Sequence, residues 1–206
     1  MNLLFDIMKK QINSNRKSLK ELETTLIQVG LKVAKRGEGA LFVVGDVKFK
    51  TMVDQNVPPF KVTENPKLLE SLAMMDGAVI MNRQGVMIAY GAMIESTKTF
   101  KNFGTRHSAA LSASTGDNLV VIVSEEDKKV RILKNGKMIM QMDALQKDVE
   151  KSVSGAVDIL ESVGAGTIGT IGTSLLIPSL GIALFPGLVV FGSAYYLGKM
   201  LTKHFS

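Results

Sequence analysis

Asp76-Gly77-Ala78 and Gly104-Thr105-Arg106-His107-Ser108-Ala109-Ala110 are the two stretches from which the interpretation of this chain starts. The first closes a helix-like run and opens a β-rich one, and the second opens a run rich in alanine and serine. A carboxylate beside a glycine at a strand start can hold a metal while the bare backbone lets a planar ring approach. A Gly-Thr-Arg-His run entering a helix offers N–H groups, a hydroxyl, a guanidinium and an imidazole to one anion. A metal, a ring and phosphates together indicate a nucleoside triphosphate.

In this order, the two motifs resemble the diadenylate cyclase domain of the DisA/CdaA type, whose signatures are D-G-A and G-T-R-H-R. The similarity runs from about Lys35 to Gln141 and includes Gly39 to Gly45 and Val121 to Glu126. The resemblance implies a reaction in which two ATP molecules are joined into cyclic di-AMP and two pyrophosphates leave. It also implies a divalent metal, Mg or Mn, and a homo-oligomer in which two domains pair face to face, because one domain holds one ATP.

The resemblance also assigns roles to individual residues. Asp76 is expected to bind Mg²⁺ or Mn²⁺ and help the 3′-hydroxyl lose its proton, and Arg106 to offset charge on the α-phosphate. His107 is expected to act as a metal ligand or a phosphate donor, which makes Asp76, Arg106 and His107 the catalytic set and Asp76 with His107 the metal ligands. The nucleotide-binding residues implied are Gly77, Ala78, Met93, Gly104, Thr105, Arg106, His107, Ser108, Ser124 and Glu125.

Plainer explanations stay open for several of these residues. An aspartate at a strand start is often a turn residue, a histidine at a helix start is often only hydrogen-bonded, and Ser124-Glu125 could belong to a solvated turn. One position departs from the family pattern, because Ser108 stands where the motif commonly has its second arginine. A serine brings a hydroxyl but no charge, so part of the phosphate clamp is lost unless another base such as Lys101 replaces it.

Composition excludes several classes of protein. Without cysteine and with two histidines, the 206-residue chain has no disulfide, no cysteine nucleophile and no Cys/His zinc site. It contains neither a Gly-x-x-x-x-Gly-Lys-Ser/Thr loop nor a Gly-x-Ser-x-Gly elbow. The formal charge of +6 comes from lysines scattered among acids, so we expect no nucleic-acid partner. An anionic ligand or an anionic membrane surface accounts for the charge equally well.

Hydrophobic spacing predicts a mixed α/β domain over residues 37–160, with a sheet of six or seven strands flanked by helices. N-terminal helices are expected in residues 1–36: an amphipathic one from Met1 to Ile12, then a core helix opened by a capping box at Ser18 and stopped by Gly37. Asn65-Pro66 predicts another helix start. Asn135-Gly136 predicts a tight hairpin.

Residues 161–206 form a glycine-rich hydrophobic segment of a different character. No charge interrupts the chain from Ser162 to Gly198, and Pro178 lies near the middle of that run. The pattern predicts a helical hairpin over 162–198 that enters a membrane and leaves the catalytic domain on the cytoplasmic side. The alternative is a buried hairpin at an oligomer interface.

Two further functions compete with the cyclase. In one, a degenerate nucleotide-sensing domain controls the hydrophobic tail, which would explain Ser108. In the other, the tail is a membrane-inserting effector that the globular domain regulates. Measuring product formation and liposome leakage separately discriminates among the three.

Overall fold

The computed structural model of the chain describes residues 2–95, 105–164 and 186–190. Four α-helices and eight strands occur in these residues, with a 3-10 turn, Val149–Ser152, before the last helix. The helices are α1 (Asn2–Lys35), α2 (Pro66–Ala73), α3 (Thr105–Ala113) and α4 (Val153–Gly164). The strands are β1 (Ala40–Val44), β2 (Phe49–Thr51), β3 (Ala78–Met81), β4 (Met87–Ile94), β5 (Leu119–Val123), β6 (Lys129–Lys134), β7 (Lys137–Asp143) and β8 (Leu188–Val190).

The strands form one mixed sheet in the order β2-β4-β3-β1-β5-β6-β7-β8. Only β1 and β3 pair in parallel, and every other neighbouring pair is antiparallel. Apolar side chains of α1, α2 and α4 pack on one face of the sheet, and those of α3 pack on the other. This double coverage explains why β1 and β5 are apolar without alternation, and it confirms the predicted mixed α/β class.

The N-terminal region is one continuous 34-residue helix rather than the two predicted. Ser18 lies inside α1, so the prediction of a capping box there was wrong. Residues 13–15 are weak helix formers, but the chain from 13 to 18 includes no glycine or proline, and nothing breaks the helix between its two halves. Its predicted end is confirmed: Gly37 has φ +85°, and the N–H groups of Gly37 and Glu38 return to the carbonyls of Ala34 and Val33.

Part of the C-terminal segment joins the sheet. Strand β8 pairs with the outer edge of β7, with Leu188 opposite Met142 and buried, and the Ser152 hydroxyl donates to the carbonyl of Pro186 at 2.8 Å. The helical hairpin prediction was therefore wrong at 188–190, because an unpaired strand edge binds an extended β-branched segment through main-chain hydrogen bonds. The rest of the predicted hairpin lies outside the described residues, apart from 162–164 at the end of α4 and 186–187, so its membrane insertion stays a prediction. None of the helices in the described ranges combines the length and apolar character needed to cross a bilayer.

Glu23 is a buried carboxyl group that makes the stability of the fold depend on pH. It lies on α1 with 4% of its surface exposed, and its Oε2 has no hydrogen-bond partner among the described residues. Burial raises the pKa of Glu23 from its ordinary value of 4.5 to about 7. The folded chain therefore keeps a proton between these two values that the unfolded chain releases, so the free energy of unfolding falls as pH rises through that window.

We expect Glu23→Gln to raise the free energy of unfolding by about 2 kcal/mol at pH 8. At 1.4 kcal/mol per pKa unit, ionising the buried Glu23 costs the fold about 3 kcal/mol, and glutamine removes this cost. Burying the amide in its place costs about 1 kcal/mol, which leaves the net gain of about 2 kcal/mol. Below pH 4.5 Glu23 is protonated in both states and only the cost of the amide remains, so the substitution should lower the free energy of unfolding by about 1 kcal/mol there. Urea denaturation between about pH 4 and pH 8 measures the change at both ends of this range, with the exposed Glu21→Gln on the same helix as the control. Equal pH dependence in the parent and Glu23→Gln would contradict the assignment.

Candidate active site

The parallel pairing of β1 and β3 brings the two sequence motifs together. Both strands start at the same edge of the sheet, meaning the edge formed by strand ends rather than by an outer strand. Strand β5, antiparallel to β1, ends at that edge. Gly39 precedes β1, Asp76 precedes β3 and Ser124 follows β5. The first turn of α3 reaches the same edge, where Nη2 of Arg106 lies 4.0 Å from Oδ1 of Asp76. A carboxylate and a guanidinium from distant parts of the chain thus meet at one open edge.

Asp76 is available for chemistry because the fold makes little use of it. Its side chain is 92% exposed in the turn before β3, and its Arg106 partner is 39% exposed. An ion pair at this distance and exposure stabilises a fold by a fraction of 1 kcal/mol at most. The pair therefore presents a carboxylate and a guanidinium side by side to a ligand, rather than holding the sheet together.

Gly77 and Ala78 are both constrained by the packing of the sheet, and the nucleotide contacts implied for them stay predictions. Gly77 has φ +104°, and a Cβ on it would lie 2.7 Å from the backbone N of Ala92 and 2.9 Å from Cε of Met52. The glycine is needed where β3 and β4 approach each other, whether or not a nucleotide also contacts it. Ala78 is 1% exposed, so it offers almost no surface to a ring.

Met93 lies near the start of β3, and its contact with a base stays a prediction. It follows Ala92, the register partner of Ala78, and is 52% exposed. Exposed methionines at Met52, Met74 and Met75 lie beside the same turn in sequence or space. Flexible thioether side chains give an adaptable apolar surface suited to a planar base.

The charges that act on His107 come mainly from Arg131 on β6 and from the β5–β6 connection. Burial, and next the nearby Arg131 guanidinium, lower the pKa of the imidazole and so favour its neutral form. The other charges that act on it are Asp127, Glu126 and Arg106. A shared metal between Asp76 and His107 stays a prediction.

The donor set of the site fits a metal held jointly with a substrate. Over residues 2–95, 105–164 and 186–190, no three His, Cys, Asp or Glu side chains are grouped to hold an ion. Mg²⁺ needs no such group, because it is commonly bound by one or two carboxylates together with substrate phosphates. The exposed carboxylate of Asp76 supplies such an oxygen ligand, and Arg106 beside it can contact the phosphates.

The segment after β5 is held in place by its own side chains. Ser124 is buried and hydrogen-bonds to Asp127, and Arg131 forms a two-point ion pair with the same carboxylate. Although burial acts to raise it, these hydrogen bonds from Arg131 and Ser124 lower the pKa of Asp127. The Ser124 hydroxyl therefore has a structural partner, while the exposed Glu125 remains open to a ligand.

The remaining candidates divide between buried and undescribed positions. Ser108 is 7% exposed, so it presents little surface at the open edge. Helix α3 begins at Thr105, whereas Gly104 and Lys101 lie outside the described residues. Sequence reasoning missed two residues that contact the segments of the site. The Arg106 guanidinium lies over Gly39, and the Lys128 ammonium donates hydrogen bonds to the carbonyls of Gly37 and Glu125. The only sequence signal for Gly39 was that a second glycine follows so soon after Gly37, and Lys128 had no such signal.

Comparison with known proteins places this arrangement in a family. The chain is similar to the diadenylate cyclase of Methanocaldococcus jannaschii (27% identity over 157 residues, 68% of this chain and 50% of the relative). It is also similar to the cyclic di-AMP synthase CdaA of Bacillus subtilis (32% identity, 57% of this chain and 47% of the relative). A third relative is the diadenylate cyclase of Haloferax volcanii (30% identity, 57% of this chain and 51% of the relative). The chain thus spans about half the length of the curated relatives that it matches.

A family model matches as well. Residues 30–138, more than half of the chain, match the family described as "DAC: DisA bacterial checkpoint controller nucleotide-binding". The matched region begins within α1 and ends in β7, so it contains both motifs and the sheet edge where they meet. The chain therefore belongs to the DisA-type DAC nucleotide-binding family.

Proposed function

We propose that the chain is a diadenylate cyclase, which condenses two ATP molecules into cyclic di-AMP and releases two pyrophosphates. The observation that carries the proposal is the meeting of Arg106 with Asp76 at an open sheet edge in a chain of the DAC family. The names of the relatives, two diadenylate cyclases and a cyclic di-AMP synthase, support the same product.

Each half of the reaction forms one bond and breaks another. The 3′-oxygen of one nucleotide attacks the α-phosphorus of the other, the new O–P bond forms, and the bond to the β-phosphate oxygen breaks. Pyrophosphate leaves with the bond electrons, and the 3′-hydroxyl proton passes to solvent. The same step with the roles of the two nucleotides exchanged forms the second O–P bond and closes the ring.

The residues at the edge have complementary parts in this chemistry. Arg106 binds the α-phosphate and offsets the charge that builds on it as the O–P bond breaks. Asp76 supplies the carboxylate that would assist deprotonation of the 3′-hydroxyl and hold a divalent ion, Mg²⁺ or Mn²⁺. When bound, that ion lowers the pKa of the attacking hydroxyl and screens the phosphates. Met93 provides the apolar surface for adenine.

The proposed reaction requires two copies of the chain. One sheet edge supplies one Asp76 and one Arg106, which serve one nucleotide. The second nucleotide must present its α-phosphate to the first from the opposite side. The exposure of Asp76 and Met93 supports a face-to-face homodimer as the active form.

Incubating the purified protein with ATP and either Mg²⁺ or Mn²⁺ tests the function. We expect cyclic di-AMP and pyrophosphate in a ratio of one to two, identified by chromatography and mass. The rate per chain should rise with protein concentration until dimers predominate. ATP binding without product under either metal would instead favour the nucleotide-sensing alternative.

A further inference from the structure

We propose that Gly39 is a positioning residue for Arg106, because its missing side chain leaves the space that the guanidinium occupies. A Cβ on Gly39 would lie 2.2 Å from Nη1 of Arg106 and 3.2 Å from its Cζ. Real Cβ atoms are not found this close to a nitrogen, so the guanidinium and a side chain at position 39 cannot both keep these places. With Nη1 over Gly39 and Nη2 toward Asp76, the arginine bridges the starts of β1 and β3.

The requirement at position 39 is for space rather than for an unusual backbone. Gly39 is not among the glycines with positive φ, so alanine can adopt its conformation. Apart from the two Arg106 atoms, the nearest neighbour of the added Cβ is the carbonyl oxygen of Val123 at 3.4 Å, an ordinary contact. A methyl group here therefore conflicts with the arginine and with little else.

The backbone around Gly39 is anchored, so the arginine is the part that moves. On one side, Gly37 closes α1, and Lys128 donates to the Gly37 carbonyl at 3.3 Å and also to the carbonyl of Glu125. On the other side, β1 begins at Ala40, which pairs with Val123. The end of a long exposed side chain shifts at much lower cost than a segment held at both ends.

The inference rests on the proposed function for its kinetic consequence. If Arg106 stabilises the transition state, displacing its guanidinium by about 1 Å lowers the rate by about 10- to 100-fold. The loss should fall on kcat more than on KM, because charge on the α-phosphate is greatest in the transition state. If Gly39 served only the fold, Gly39→Ala would lower the melting temperature and leave kcat per folded molecule unchanged.

A double-mutant cycle tests the assignment with Gly39→Ala, Arg106→Ala and the double variant. We expect Gly39→Ala to lower kcat about 10- to 100-fold with an unchanged melting temperature, and to have no further effect once Arg106 is alanine. Gly116→Ala is the matched control: the added Cβ meets nothing within 4 Å, and Gly116 lies before β5, at the opposite edge of the sheet. Its kcat per folded molecule should equal that of the parent, although its positive φ lowers its stability slightly.

Two results would overturn the inference. Parent-like kcat in Gly39→Ala shows that Arg106 does not need the space, and equal losses in the presence and absence of Arg106 show that Gly39 acts through something else. Neither is confused with failure of the proposed function, in which the parent itself makes no cyclic di-AMP. In that case, the ¹⁵N–¹H signal of the Arg106 Nε, assigned by its loss in Arg106→Ala, still reports whether Gly39→Ala moves the guanidinium.

Discussion

Asp76→Asn should lower cyclic di-AMP formation by at least about 10³-fold while the melting temperature stays that of the parent. An amide of the same shape keeps one carbonyl oxygen but loses the negative charge that a divalent ion requires, and several kcal/mol of transition-state stabilisation correspond to this factor. The melting temperature should not change, because the Asp76 side chain is 92% exposed and its ion pair with Arg106 is 4.0 Å long. Steady-state kinetics in saturating Mn²⁺ and Mg²⁺, with melting curves for each protein, measure the two quantities.

Asp117→Asn provides the matched control for this substitution. Asp117 is also an exposed aspartate paired with an arginine, Arg83 at 3.7 Å, but it lies before β5, at the opposite edge of the sheet. We expect parent-like activity and stability from it. Activity of Asp76→Asn within tenfold of the parent would remove Asp76 from the catalytic set, and a large drop in its melting temperature would mean that the turn before β3 needs the carboxylate for folding.

The parts of the fold that local sequence dictates were predicted correctly. The start of α2 at Asn65-Pro66 and the end of α1 at Gly37 depend on backbone preferences of one or two residues. The β6–β7 hairpin likewise depends on the positive φ angles of Asn135 and Gly136. These preferences act whatever the rest of the chain does, so the sequence is sufficient to find them.

The two errors in the fold have different causes. Strand β8 is extended because the free edge of β7 is there to bind it, and the β-branched Val189 and Val190 alone do not exclude a helical pass. Helix α1 is continuous although only its second half, from Leu22 onward, packs on the sheet. No glycine or proline separates its two halves, so a capping-box pattern at Ser18 was not sufficient to start a new helix.

For the site, the sequence was sufficient to find the segments that form it, but not the contacts that each residue makes there. The family resemblance implied that Asp76 and Arg106 belong to one site, and the structure brings their side chains to 4.0 Å from each other. The resemblance could not show that Ser124 bonds to Asp127, or that Gly39 lies under the Arg106 guanidinium. Those contacts join residues far apart in the chain, and a serine or a glycine carries no mark of the side chain that packs against it.

Gly77→Ala should lower the free energy of unfolding by about 4 kcal/mol. Left-handed backbone costs an alanine about 1–2 kcal/mol, and Gly77 at φ +104° lies beyond the small left-handed region that other residues tolerate. Forcing a methyl group to within 2.7 Å of the Ala92 nitrogen and the Gly91 carbonyl carbon adds about 1–3 kcal/mol, because both belong to the backbone of β4 and cannot rotate away. Urea denaturation followed by far-UV circular dichroism measures the change.

Gly116→Ala separates the two contributions, because Gly116 also has a positive φ, +68°, but an added Cβ there has no neighbour within 4 Å. We expect it to cost about 1 kcal/mol, so the difference between the two variants isolates the clash with β4. Equal losses would mean that β4 shifts to accept the methyl group and that Gly77 is required only for its backbone angle. The expected large difference would show that the glycine of the Asp-Gly-Ala motif is fixed by sheet packing. Activity lost in Gly77→Ala must then be measured per folded molecule before any of it is assigned to nucleotide contact.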